Sequence, residues 1–332
     1  MSYLYTTTHM INIEGIIKGN KPTIVDSSVR AYVNNIRKLH QKMFDTKEVD
    51  SLDWLKDPVK VIDFLDENTK SYLTVRNFLN ALIVLIMKET EFDSAMISYQ
   101  NKRDELNDRY QDQQEKGEMT ERQLDAWIPL SDIQDFVGRM NMKTKGLKLN
   151  KDMSTGDKQL LQDRFMVKFW ITYPVRNDLA DTRVLTRREF ANLSQEDTSN
   201  NNYIVVSPKT MLLHMANYKT KKTYGVKKIR IADKDVIRYM RDWLKVSPSP
   251  EYILVNLKTG KPMTGLQITQ NFLRIFQNEF DKKVSTTLLR HIVVSDTFGQ
   301  AIKDMDSMAE IMMHSTKTQQ TVYNKHESTV SA

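Results

Sequence analysis

Tyr323 follows His314 by nine residues, in the run His314-Ser315-Thr316-Lys317-Thr318-Gln319-Gln320-Thr321-Val322-Tyr323. A phenol matters in this chain because cysteine is absent. Any covalent chemistry must therefore use another nucleophile, and disulfides and thiolate metal sites are excluded as well. Cations stand in three further segments: Arg176 in Pro174-Val175-Arg176-Asn177-Asp178-Leu179, Lys219 in Asn217-Tyr218-Lys219-Thr220-Lys221-Lys222-Thr223-Tyr224-Gly225, and Arg290 in Thr286-Thr287-Leu288-Leu289-Arg290-His291. Taken singly, each has a plain structural reading. Tyr323 is a packing residue, His314 a surface or capping His, Arg290 one side of an amphipathic helix, and Arg176 the counter-charge to Asp178 and Asp181. The balance of the whole chain points further. Its 332 residues hold 49 Lys and Arg against 42 Asp and Glu, a net charge of +7, and such an excess suits a polyanion such as nucleic acid, whose phosphates dominate affinity.

Together and in this order the motifs resemble those of the tyrosine recombinases and type IB topoisomerases. The nine-residue step from His314 to Tyr323 is similar to the last motif of these families. The segment around Arg290 resembles their His-x-x-Arg motif, with His291 following. Pro174 to Leu179 resembles the first Arg motif, at the end of a hydrophobic helix and before a strand meander, and Asn217 to Gly225 resembles the hairpin that carries the catalytic Lys. The resemblance covers about residues 150 to 325. In the style of that hairpin it looks most like the integrases of large DNA viruses of eukaryotes and their mobile elements.

What the resemblance implies is phosphoryl transfer on DNA. Attack at phosphorus builds negative charge on the non-bridging oxygens, which two guanidinium forks stabilise better than mobile point charges. Arg176 and Arg290 take that role, His314 adds a hydrogen bond, and Lys219 as general acid protonates the departing 5′ oxygen. Tyr323 forms a 3′-phosphotyrosine that a second 5′-hydroxyl reseals, with no metal, nucleotide or other cofactor. Lys221 and Lys222 share the Lys219 turn and can reach the same phosphate; with Lys227 and Lys228 they are expected to make non-specific phosphate contacts. The chain departs from the family at Thr287, where most members have His, because a neutral hydroxyl cannot take the Tyr proton. It departs again at Leu179, where a Glu often stands. His291, four residues after Thr287 on the same helical face, and His214, on the strand face away from Lys219, are the remaining histidines to weigh, and both read as structural.

The elements that must position these residues follow from periodicity. Residues 1–20 read as an irregular N-terminal arm ending in turn chemistry. Helices are predicted from Ser28 with Val29, Tyr32, Val33, Ile36, Leu39 and Met43 on one face, from Asp57-Pro58 with Pro at the first helical position, and over 71–87, apolar on most faces. A strongly charged helical hairpin spans about 89–126, turning at Gly117. A helix over 131–140 follows, and the basic stretch from Lys143 to Lys151 reads as the domain linker. The second half starts with a helix over 157–170. Strands are expected over 203–206, 211–218 and 226–231, and helices over 233–245, 265–280, 286–298, 307–313 and 316–325.

The fold class expected is mainly α with a small antiparallel β-meander, in two domains: a helical core DNA-binding domain over 21–147 and an α+β catalytic domain over 148–332, together the C-shaped clamp of the tyrosine recombinases. The function implied is site-specific strand exchange or integration, with type IB relaxation and a catalytically impaired DNA-binding relative as alternatives. The expected partners are double-stranded DNA and further copies of the chain, from homodimer to homotetramer, assembled either through other surfaces such as the charged hairpin from Glu89 to Lys116 or with a short strand or coil from the tail after Tyr323. The longest apolar run, 78–87, is too short to span a bilayer, and no export signal opens the chain. The compartment expected is the cytosol or nucleus of a host cell, or a virion.

Overall fold

The structure, a computed structural model, describes residues 10–208 and 210–323; the side chains of Lys317 and Tyr323 lie outside the described part, as do Met1 to His9 of the expected arm and the tail from Asn324. The chain is mainly helical and divides into two compact units, 1–118 and 119–332.

The first unit holds α1 (Ile13–Asn20), α2 (Asp26–Phe44), α3 (Pro58–Asn68), α4 (Tyr72–Ile86) and α5 (Asp93–Glu115). The arm expected over residues 1–20 is in part a helix. Asn12 caps it by accepting from the Gly15 N–H at 2.9 Å, and Ile13 and Ile17, one turn apart, are buried in the core of this unit. Ile13, Ile16 and Ile17 stand at helical spacing, but a helix of eight residues shows that spacing only once. The α4 helix is the centre of the bundle, with Leu79, Leu82, Leu85 and Ile86 fully buried. Pro58 opens α3 and Asp57 caps it. Among the described residues no helix is long and apolar enough to cross a membrane.

The second unit begins with α6 (Glu121–Ala126) and α7 (Leu130–Thr144), followed by α8 (Thr155–Thr172). This moves the boundary away from the linker expected at Lys143 to Lys151. Ile133, Phe136, Val137 and Met140 of α7 pack with Leu161, Phe165 and Phe169 of α8 in one core, so residues 119–147 belong to the second unit. The break falls beside Gly117, whose φ of +62° marks the tight turn.

Next come β1 (Arg183–Thr186), α9 (Arg187–Ala191), α10 (Gln195–Asn200), β2 (Tyr203–Val206), β3 (Met211–Met215), α11 (Lys221–Tyr224) and β4 (Lys227–Ile231). They form one four-stranded sheet of order β1-β2-β3-β4. The expected meander is present as β2, β3 and β4, antiparallel throughout. The sheet as a whole is mixed, because β1 pairs parallel with β2, Arg183 opposite Tyr203. A parallel pair needs a long crossover, and α9 with α10 supplies it. One sheet face, with Ile204, Met211, Leu213 and Ile231, joins the core that contains α8. The chain then runs through α12 (Lys234–Val246), α13 (Gly265–Phe280), α14 (Thr286–Ile311) and α15 (Thr316–Thr318), and closes on a π-helical turn over Gln319–Tyr323. The helices expected over 286–298 and 307–313 are thus a single helix.

Candidate functional site: an arginine pair beside a lysine turn

Arg176 stands where α8 has ended and the chain turns. Tyr173 closes α8, its hydroxyl accepting from the N–H groups of Ala232 and Asp233, and Pro174 prevents the helix from continuing. Residues Asn177–Leu179 then form a single 3₁₀ turn. Its position is set by side chains. Leu179 is fully buried, and Asn177 Nδ2 donates to the Gly265 carbonyl at 3.0 Å and to Thr269 Oγ1 at 2.7 Å, tying the turn to the start of α13. Gly265 lies so close to Asn177 that a Cβ there would stand 3.5 Å from the Asn177 Cβ. Arg176 itself is exposed.

Arg290 occupies the second turn of α14. Ser285 caps this helix by accepting from the Leu288 N–H, and Leu288, Leu289, Ile292 and Val293 bury its first half. The Arg290 guanidinium donates from Nη2 to Thr287 Oγ1 at 3.1 Å, and its buried Nε–H has no acceptor among the described residues. Burial, and then the positive charge of Arg176, hold the Arg290 pKa below its ordinary value, while Asp178 acts in the opposite sense. The group remains a cation at any ordinary pH. Two guanidiniums from distant parts of the sequence are thus near enough to feel each other's charge, with the Asp178 carboxylate offsetting them. Such a place favours an anion. Thr287, at the position expected to hold a proton acceptor, instead accepts a hydrogen bond from Arg290 and fixes its orientation.

The lysine turn is joined to the arginine turn by a residue that the sequence motifs do not include. Asn202, buried just before β2, donates from Nδ2 to the carbonyls of Asp178 and Asn217, both at 2.7 Å. Its Oδ1 accepts from the N–H groups of Ala216 and Asn217 at 2.9 and 2.8 Å. All four hydrogen-bonding positions of the amide are used. One end of this staple is two residues from Arg176 and the other is two residues from Lys219. An Asn before a strand looks like ordinary turn chemistry in the sequence, so nothing local distinguishes it.

Lys219 is exposed, on a turn closed by the Tyr218 hydroxyl donating to the Gly225 carbonyl at 2.6 Å. Gly225 has φ +64°, which a glycine adopts without strain. Of the neighbouring lysines, Lys222, Lys227 and Lys228 are exposed, Lys227 lying 5.6 Å from the Tyr224 ring centre. Lys221 is half-buried and its ammonium donates to the Ser199 carbonyl, so part of its capacity serves the fold.

His214 belongs to the core. It is 3 % exposed, its Nε2 lies 2.6 Å from the Thr198 carbonyl oxygen, and its ring packs edge-on to Phe190 at 5.1 Å. That bond makes Nε2 the protonated nitrogen. His291 is exposed on α14, one turn beyond Thr287.

His314 and Tyr323 are not brought to the arginine pair in the same way. The helix α14 runs unbroken to Ile311, and the His314 N–H bonds to the Ala309 carbonyl at 3.1 Å. Helical rise puts Ala309 roughly 28 Å from Arg290 along the axis. The segment continues from there, with Thr316 Oγ1 donating to Asp306 Oδ1 at 2.9 Å and His314 Nδ1 lying 3.1 Å from the Ser315 carbonyl oxygen. The backbone of Tyr323 ends the π-helical turn, and its phenol lies outside the described part. Arg290 thus bonds Thr287 and feels the charges of Arg176 and Asp178, the Lys219 turn is tied to the Arg176 turn through Asn202, and His314 follows the far end of α14.

No protein-family model matches this chain, and no curated protein matches it.

Proposed function

We propose that this chain is a DNA strand-transfer enzyme of the tyrosine recombinase kind, which cuts and rejoins DNA through a 3′-phosphotyrosine at Tyr323. The observation that carries the reading is that Arg176 and Arg290 feel each other's charge, beside a lysine turn fastened to the Arg176 turn. Two neighbouring guanidiniums, that of Arg290 held by Thr287, offer donors in the fork geometry that a phosphodiester takes. In the reaction the Tyr323 Oη–P bond forms as the P–O5′ bond breaks, Lys219 gives a proton to the 5′ oxygen, and the phenolic proton passes to water. Charge accumulating on the non-bridging oxygens is met by Arg176 and Arg290, with His314 as a further donor once it is brought in. Rejoining runs the same steps backward from a 5′-hydroxyl. On this reading the two units make the DNA clamp, and Lys222, Lys227 and Lys228 hold phosphates outside the reacting one. Double-stranded DNA and further copies of the chain are the partners, in the cytosol or nucleus of a host cell or within a virion.

A second reading, a DNA-binding relative that does not cleave, is favoured by Thr287 and by the distance from Arg290 to His314. Nicked suicide duplexes of randomised sequence, incubated with the protein and resolved under denaturing conditions, separate the two. The recombinase reading expects a covalent protein–DNA band that disappears in Tyr323→Phe. Retention of DNA under native conditions with no covalent band in the wild type supports the non-cleaving relative.

A further inference from the structure

We propose that the end of the β2–β3 hairpin is a protein-docking site, which takes a short acidic segment of a partner protein with apolar side chains between its carboxylates. The site lies wholly within the second unit. It goes beyond the strand-transfer reading, which uses the other end of the same two strands.

The direction of the strands fixes the place. β2 starts beside Asn202, which ties the Arg176 and Lys219 turns together, and β3 runs back toward Lys219. The connection between Val206 and Met211 is therefore at the far end of the pair, roughly 13 Å along β3 from the residues that lead into the Lys219 turn. Two cavities meet there and share Ser207 and Met211. One, of about 630 Å³, is walled by Val206 and Met211 on the sheet and Leu244 on α12. The other, of about 450 Å³, is walled by Val205 and Leu212, which face the opposite side of the sheet, and by Phe190 of α9. Both fall in the size range of ligand-binding cavities.

The charge around them is of one sign. Arg241 and Lys245 of α12 line the first cavity and Arg187 and Arg230 the second, and no carboxylate lines either among the described residues. Arg241 donates from Nη2 to the Ser207 and Pro208 carbonyls at 2.9 and 2.7 Å, which holds its guanidinium at the hairpin end. Arg187, Arg230 and Lys245 are exposed, and their side chains make no hydrogen bond or ion pair among the described residues. In the body of this unit the cations are paired instead, Arg164 with Asp242, Lys168 with Asp233 and Arg274 with Asp163. Duplex DNA would meet the cations and leave the apolar walls empty, because the backbone presents phosphate and sugar. An acidic peptide with apolar side chains satisfies both. Apolar surface rimmed by polar groups marks a protein contact, and the unmatched positive rim selects a negative partner.

Fluorescence anisotropy on the full chain tests the assignment, with a fluorescein-labelled synthetic peptide in which Asp and Glu alternate with Phe and Leu. The peptide is expected to bind saturably, and to lose binding when its Phe and Leu are replaced by Ser or its acids by Lys. Arg230→Glu combined with Lys245→Glu, one exposed change at each cavity, is expected to weaken binding by about tenfold or more, because two attractions become repulsions. The melting temperature should not move. Lys38→Glu combined with Lys70→Glu, two exposed changes in the first unit with the same effect on net charge, is expected to leave the affinity unchanged. Unlabelled duplex DNA is expected not to displace the peptide. A wild type that does not bind the peptide overturns the proposal. So do equal weakening by the two variants, binding that survives replacement of Phe and Leu by Ser, and displacement by duplex, the last of which would make the rim a phosphate surface. No readout requires DNA cleavage, so failure here and failure of the strand-transfer reading are separate results.

Discussion

The two halves of α14 have the same backbone and opposite circumstances. From Thr286 to Val293 the helix is capped by Ser285, buries Leu288, Leu289, Ile292 and Val293, and holds Arg290 against Thr287. From Val294 to Met308 nearly every residue is exposed, the apolar ones included. The difference divides the chemistry. Groups that must already be in place when charge develops belong on the rigid half, because preorganisation is what makes electrostatic stabilisation effective. The His314 to Tyr323 segment follows the half that the fold leaves uncovered.

Substitutions at five positions bear on this contrast. The largest effect is expected from Arg290→Ala, which should slow strand cleavage by about 10²–10³ as loss of a transition-state donor does, with folding intact because the side chain makes a single described hydrogen bond; single-turnover cleavage and circular dichroism measure the two together. Cleavage at the wild-type rate would separate the buried half from the chemistry. Next, Leu289→Ala on the buried half should cost about 2–5 kcal/mol, while Ile302→Ala on the exposed half should stay within about 0.5 kcal/mol. Equal losses in urea unfolding would show that the second half is packed in solution. Asn202→Ala removes the bonds to Asp178, Ala216 and Asn217, and leaving those backbone groups unpaired should cost about 1–3 kcal/mol. Asn202→Asp, which turns an acceptor-only carboxylate oxygen toward the Asp178 and Asn217 carbonyls, should cost at least as much stability as Asn202→Ala. The smallest effect belongs to Gly299→Ala. No atom lies within 4 Å of the Cβ it would add, and replacing glycine inside a helix should stabilise by about 0.5–1 kcal/mol. A lowered melting temperature would instead mean that α14 bends at this residue.

Much of the frame was legible in the sequence because apolar spacing declares which helices have one buried face. The stretches 57–68 and 265–280 are of this kind, and Pro58 marks the start of the first. The misreadings share a cause. In α14 the apolar residues change faces after Val293, so a single helix looks like two with a gap between them. The β1 strand is four residues long and only half-buried, too short to alternate visibly, and its parallel partner lies beyond two short helices. The α7 helix sits before a basic, glycine-containing stretch that imitates a linker, yet its Ile133, Phe136 and Met140 are core residues of the second unit. At the candidate site, Arg176, Lys219 and Arg290 stand out by motif order. Asn202 and Asn177 do not, because their bonds reach residues far along the chain.

The most direct test of the central claim is to digest the covalent complex trapped on a suicide duplex and locate the modified residue by mass spectrometry. A single nucleotide-bearing peptide with the 3′-phosphate on Tyr323 is expected. Attachment at any other residue, or a wild-type chain that binds DNA yet leaves every phosphodiester uncut, would contradict it.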